Sequence, residues 1–350
     1  PPRSTLFPYT TLFRSPEALA GHRFLRTIYT MNPIGKALRK AFPPVAGLSA
    51  AALLAFGLPG VPGTPPEGTA AASWVLKPAE ADPAPASAAL PGERETLAMA
   101  RAYPTRIEGR EIREGEWALR VRGRWFAWAG GRILPPEDLE RREDYIPLRF
   151  YSYYRGPRVR PVPSPEQVET LRARNLSGNA DARPRSDAFL DGLYGIASEA
   201  EAEEVMVSVA FLGRPVRVHP LLTEPLKRAE AGIRSAQAAD PGLRAFTAGI
   251  AQIQGYHWRE IAGTQRRSYH GYGAAVDVIP RSYGGRFAYW RWAFDAGIRD
   301  WWDLPDERIW LVPRAFVDAM EAEGFVWGGK WLWYDTVHFE YRPEVLRLTD

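Results

Sequence analysis

From Val61 to about Glu93 the chain is built of Pro, Ala and Gly with few large apolar side chains. Such a stretch cannot bury enough surface to offset the entropy of ordering it, so residues 61–93 are expected to be a disordered linker. Whatever packs a core must lie on one side of it or the other. On the N-terminal side, Lys36, Arg39 and Lys40 precede "VAGLSAAALLAFGL" (Val45–Leu58), an apolar run with no amphipathic period that Pro59 and Pro62 end at once. That order of a basic segment, an apolar segment and small residues predicts a signal peptide or N-terminal membrane anchor over residues 31–60. Export to the periplasm or cell envelope would follow. Further upstream, "TLFPYTTLFRS" (Thr5–Ser15) reads as the translation of a sequencing adapter. Residues 1–30, including His22, are set aside as artefact and leader.

The remainder is long enough for a proper core, and 45% hydrophobic with 25% charged residues is ordinary globular composition. The net charge of +4 suits an anionic surface such as nucleic acid, lipid headgroups or cell-wall polymer, but no run of five or six basic residues supports nucleic acid as a partner. There are no cysteines. Disulfides and thiolate metal sites are thereby excluded, leaving His, Asp and Glu as the strong ligands.

Residues 94–185 read as a small β-rich accessory region. Trp117, Leu119 and Val121 alternate up to a turn at Gly123, after which an aromatic strand returns, the pattern of a hairpin. A proline-rich crossing then leads to a short helix with Ser164 as N-cap and Pro165 in its first turn. From residue 186 onward, helical and strand patterns are mixed. "SDAFLDGLYGIA" reads as a helix behind a Ser186 cap, and "VMVSVAFLGRPVRVHP" as a hairpin around Gly213. Leu226, Ala229 and Ile233 share one helical face, and Phe316 pairs with Met320 ahead of a stop at Gly324. "GAAVDVIP" and "VHFEY" are short strands. The expected class is α+β, helices packed on a small, mostly antiparallel sheet within a catalytic domain at 186–350.

Alternation puts Asp277 on the face of its strand opposite Val276 and Val278, and puts His338 and Glu340 on one face of theirs, opposite Phe339. An unpaired carboxylate on an apolar strand is costly and calls for a cation or several donors. With His270 across a glycine-rich turn, His270, Asp277 and His338 form a set of three ligands that leaves one tetrahedral position open, as in catalytic rather than structural zinc sites.

The same residues carry a resemblance. Ser268, His270, Gly273, Ala275 and Asp277 meet each fixed position of S-x-H-x-x-G-x-A-x-D, and Trp333, Asp335, His338, Phe339 and Glu340 meet W-x-D-x-x-H-F-E. Residues 186–348 thus resemble the zinc D-alanyl-D-alanine carboxypeptidases and L-alanyl-D-glutamate endopeptidases of peptidoglycan, VanY-like enzymes whose fold is shared with Hedgehog-type domains. The resemblance implies a zinc metallopeptidase acting on peptidoglycan stem peptides. In it, His270, Asp277 and His338 bind zinc, Asp335 is general base to the attacking water, and Arg259, in a segment resembling the family's upstream arginine block, faces the substrate carbonyl. Ser268 would support a ligand or substrate.

Other readings stand beside these. Glu340 is the second candidate for the base, or orients a ligand. Arg259 could instead pair with a surface acid. His257 could contact substrate or be solvated, and His219 before Pro220 reads as structural. The tryptophans crowding the C-terminal third, Trp290 to Trp333, could line a groove or fill a core. A non-catalytic cell-wall-binding module that keeps the fold is the alternative function.

Overall fold

The computed structural model describes residues 90–159, 161–177, 183–261 and 264–348. The stretches expected to be adapter and signal or anchor, and nearly all of the expected linker, lie outside the described residues. Among the described residues no helix is long and apolar enough to cross a membrane.

The body opens with helix α1 (Glu93–Ala102), which lays Met99 and Ala98 on a three-stranded antiparallel sheet of β1 (Ile107–Arg113), β2 (Glu116–Val121) and β3 (Arg124–Ala127). The hairpin expected around Gly123 is β2–β3, with Leu119 opposite Phe126. Helix α2 (Pro165–Ser177) starts with a reciprocal cap: the Ser164 hydroxyl accepts the Gln167 N–H, and the Gln167 side chain accepts the Ser164 N–H. Helix α3 (Ala188–Tyr194) departs from expectation. Its N-cap is Asp187 rather than Ser186, and no side chain caps it. The Asp187 carboxylate is drawn away by Arg185 and Arg267, which hold it as an ion pair.

Helix α4 (Glu199–Val205) leads into the hairpin of β4 (Val207–Phe211) and β5 (Arg214–Val218). Helices α5 (Thr223–Gln237) and α6 (Pro241–Gly249) follow. A four-stranded antiparallel sheet then takes the order β6–β7–β9–β8, from β6 (Ile250–Gln254), β7 (Ala275–Pro280), β8 (Phe325–Trp327) and β9 (His338–Tyr341). Between β7 and β8 run the short helix α7 (Trp290–Asp295) and α8 (Arg314–Ala322); α9 (Pro343–Leu346) ends the described chain. Small antiparallel sheets with packed helices make the molecule α+β.

One face of the four-stranded sheet is dry. Val276, Val278, Phe339 and Phe325 are fully buried there, and Phe316 and Met320 of α8 with Leu226 and Ile233 of α5 belong to the same core. The Phe316 and Phe339 rings meet at 5.8 Å. That core continues without a break into Leu119, Val121 and Phe126 of the first sheet and Phe189 of α3, so residues on both sides of position 185 share one compact unit. The tryptophans divide. Trp301, Trp302, Trp310 and Trp327 are buried, Trp290 and Trp333 pack on Trp301 at 4.9 Å each, and Trp292 stays 43% exposed.

Candidate metal centre

Pairing of β7 with β9 sets Asp277 directly opposite His338, so the two side chains emerge side by side on the face away from α8. His270 reaches the same point from a 3-10 turn, Tyr269–Tyr272, immediately before β7. The Ser268 hydroxyl opens that turn by accepting the His270 N–H. Gly273 closes it at φ 62°, and a Cβ there would lie 2.3 Å from the Met206 sulfur and 2.6 Å from the His219 nitrogen, so the position needs glycine twice over.

His270 Nε2, His338 Nδ1 and Asp277 Oδ1 converge at mutual distances of 3.1, 2.8 and 3.2 Å. They form the cluster of potential metal-ligating atoms among the described residues. A tetrahedron with metal–ligand bonds of 2.0–2.1 Å has edges of about 3.3 Å, so the triangle is close to one face of such a site. The far nitrogens assign the tautomers. His270 Nδ1–H donates to the Gly255 carbonyl at 2.6 Å, and His338 Nε2–H donates to Glu340 Oε1 at 3.2 Å. Each imidazole therefore turns a lone pair toward the cluster, the usual support of a metal-bound histidine.

Electrostatics favour a cation. Burial opposes ionisation of Asp277, yet the charge and hydrogen bonds of His270 and His338 override it and hold the carboxyl far below its ordinary range. Burial likewise disfavours a charged His338, but Asp277 and Glu340 push its pKa well up. Asp335 differs. Burial, with a contribution from the Asp277 charge, raises its carboxyl to about 6 against the opposing pull of His338 and His270. Its Oδ1 is buried without a hydrogen-bond partner. A carboxylate in that condition is stable only beside something positive or something that can give it a proton. Two imidazoles held from behind and the carboxylates of Asp277, Asp335 and Glu340, one of them with an unpartnered oxygen, fit a divalent ion in the place that a shared proton takes without one, and a set of imidazole and carboxylate donors suits zinc among the first-row metals.

Asp335 is placed by its backbone: its N–H donates to Gly328 O at 3.1 Å, and it bridges Tyr289. The next residue, Thr336, is pinned to Ala288 O and Trp310 O. Glu340 faces His338 and lies 3.7 Å from Arg342, a geometry that orients the imidazole. Arg259 is exposed and makes no side-chain hydrogen bond or ion pair among the described residues. Residues 255–261 run beside 266–270, tied by the His257 N–H to His270 O and the Ser268 N–H to Arg259 O. Burial pushes the pKa of the Tyr289 hydroxyl up, the Asp335 charge adds to this, and the charges of Arg291 and Arg259 oppose it. His257 is exposed, with its backbone rather than its ring engaged.

Gly255 was not among the sequence candidates. A Cβ on it would sit 2.1 Å from the Arg217 carbonyl oxygen, so only glycine lets β6 close on β5 and offer its own carbonyl to His270. Its one visible signal is a glycine directly after a strand.

Residues 262–341 match a family model described as D-alanyl-D-alanine carboxypeptidase. The match takes in β7, β8, β9, all three ligand candidates, Asp335 and Glu340, and stops short of Arg259. This part of the chain therefore carries a peptidase-family domain. Residues 95–150 match a domain of unknown function, which covers the first sheet. No curated protein matches the chain, and no solved structure does.

Proposed function

We propose that the protein is an exported zinc peptidase that hydrolyses peptide bonds in peptidoglycan stem peptides, of the D-Ala-D-Ala carboxypeptidase or L-Ala-D-Glu endopeptidase type. The observation that carries the reading is the convergence of His270, Asp277 and His338 beside the unpartnered Asp335 oxygen. The peptidase-family match and the mild basic balance support it.

When bound, zinc supplies Lewis acidity and makes water acidic near neutral pH. The chain's residues do the rest. Asp335 Oδ1 accepts a proton from the attacking water and returns it to the departing amine, a shuttle to which a carboxyl raised to about 6 is well matched. Arg259 brings a permanent positive charge to the oxygen that becomes negative as the carbonyl is attacked. Glu340 and the Gly255 carbonyl fix the two imidazoles. Mass spectrometry of muropeptides incubated with purified protein tests the proposal: release of D-Ala or splitting of the stem, abolished by chelator and by His270→Ala, supports it. Stoichiometric zinc uptake with no bond cut in any muropeptide would establish the wall-binding alternative instead.

A further inference from the structure

Residues 149–158 lie outside the peptidase-family match and at the edge of the other, yet they touch the support of every late-chain residue in the metal centre. Two lines of contact run from this segment to His338. In the first, the Tyr151 hydroxyl accepts the Trp331 indole N–H at 2.9 Å, and the Trp331 ring packs on the His338 ring with centroids 5.7 Å apart. In the second, the Arg149 carbonyl accepts from Arg342 at 2.8 Å; Arg342 lies 3.7 Å from Glu340, which holds His338 Nε2–H. A third line runs to Asp335. The Tyr153 hydroxyl donates to Glu321 at 2.5 Å and accepts the Trp327 N–H at 2.9 Å, while Arg158 donates to Gly329 O at 2.6 Å. These fix the turn at Gly328–Lys330, and Gly328 O receives the Asp335 N–H.

Once its strand and its rotamer about Cα–Cβ are fixed, a histidine keeps one rotation, about the bond to its ring. Glu340 restrains that rotation through one nitrogen, and Trp331 restrains it through the ring face. Trp331 packs against the cluster of Tyr153, Val326, Val345 and Leu346, and its single N–H, which fixes how the indole is turned within that packing, has one partner, Tyr151. We infer that Tyr151 is a positioning residue of the metal centre: acting through Trp331 it sets the His338 ring, so that segment 149–158 is a working part of the site. The inference rests on the reading of His270, Asp277 and His338 as a metal centre.

The test uses Tyr151→Phe in the full chain, which removes one oxygen and keeps the ring. Zinc affinity is measured by competition with a chromophoric chelator, and site geometry by the visible absorption of the cobalt-substituted protein. Loss of a residue bonded directly to a metal-bound histidine costs about 10- to 100-fold in affinity. One step further out, about threefold to tenfold is expected, with a shifted cobalt spectrum and a melting temperature of the metal-free protein lowered by no more than the one lost hydrogen bond accounts for. Trp331→Phe, which removes the same donor from the other side and part of the ring facing His338, should give at least that loss. The double variant should be no weaker than Trp331→Phe alone. Affinity and spectrum equal to the parent's in Tyr151→Phe, or additive losses in the double variant, overturn the inference while leaving the metal centre standing. A parent protein that takes up neither zinc nor cobalt removes both.

Discussion

His219 and His270 are both buried, and their hydrogen bonds assign them opposite roles. His219 spends both nitrogens: Nε2–H donates to Tyr194 O at 2.9 Å and Nδ1 accepts the Leu221 N–H at 3.1 Å. No lone pair is left for a metal. Burial drives its pKa down to about 4, only partly opposed by the bond to Tyr194. The unfolded chain therefore binds a proton near pH 6.5 that the folded chain refuses until about pH 4, and stability rises with pH across that window. Acidification from about pH 6.5 to 4 should cost roughly 3 kcal/mol through this residue. Urea titrations at several pH values check it, and His219→Gln should flatten the dependence. Asp335 makes a complementary prediction. Asp335→Asn keeps the shape and removes the base, so kcat should fall by about 10²- to 10⁴-fold while zinc content by atomic absorption stays at the parent level.

At the scale of elements, the two faces of one small sheet separate the packed core from the candidate metal ligands. Phe316→Ala opens a cavity under Phe339 and should lower stability by about 3–5 kcal/mol in denaturant titrations, with zinc affinity little changed. Gly255→Ala should do the reverse in emphasis. Its Cβ meets the Arg217 carbonyl, the β5–β6 contact must yield, and the His270 acceptor moves; zinc affinity should drop by about 10- to 100-fold in chelator competition. These elements also show what was legible beforehand. Asp277 on an apolar strand and His338 beside Glu340 could be read from alternation and motif, because period two is written in the residues themselves. That β7 pairs with β9 in the register placing Asp277 against His338 could not, since strand neighbours some sixty residues apart are chosen by the whole core. Asp187 displacing Ser186 as the cap was hidden for a similar reason: the arginines that claim its carboxylate include Arg267, from another part of the chain. The Gly255 carbonyl, a backbone atom, has no residue type to advertise it.

For the molecule as a whole, the continuity of the core across position 185 predicts that a fragment of residues 186–350 loses the partners of Phe189 and exposes the underside of the first sheet's contact. It should show no cooperative melting transition by circular dichroism, whereas the full chain should. Zinc at 100 times its dissociation constant should stabilise the full chain by about 2.7 kcal/mol, seen as a concentration-dependent rise in melting temperature that excess chelator reverses.

The longest-range hydrogen bonds carry a consequence for time as well as for strength. Arg94 donates to Leu348 O and the Tyr103 hydroxyl to Glu344, pairs separated by 254 and 241 positions. Tyr151 and Tyr153 meet Trp331 and Glu321 across 180 and 168 positions. Clasps between such distant residues form only after large loops have closed, which slows the search. The two tyrosine clasps support His338 and Asp335, so a refolding chain should acquire its helices before it can hold a metal. Stopped-flow refolding in the presence of a zinc indicator should then show uptake confined to the slowest phase, a competence gained late rather than a nucleus around which the rest assembles.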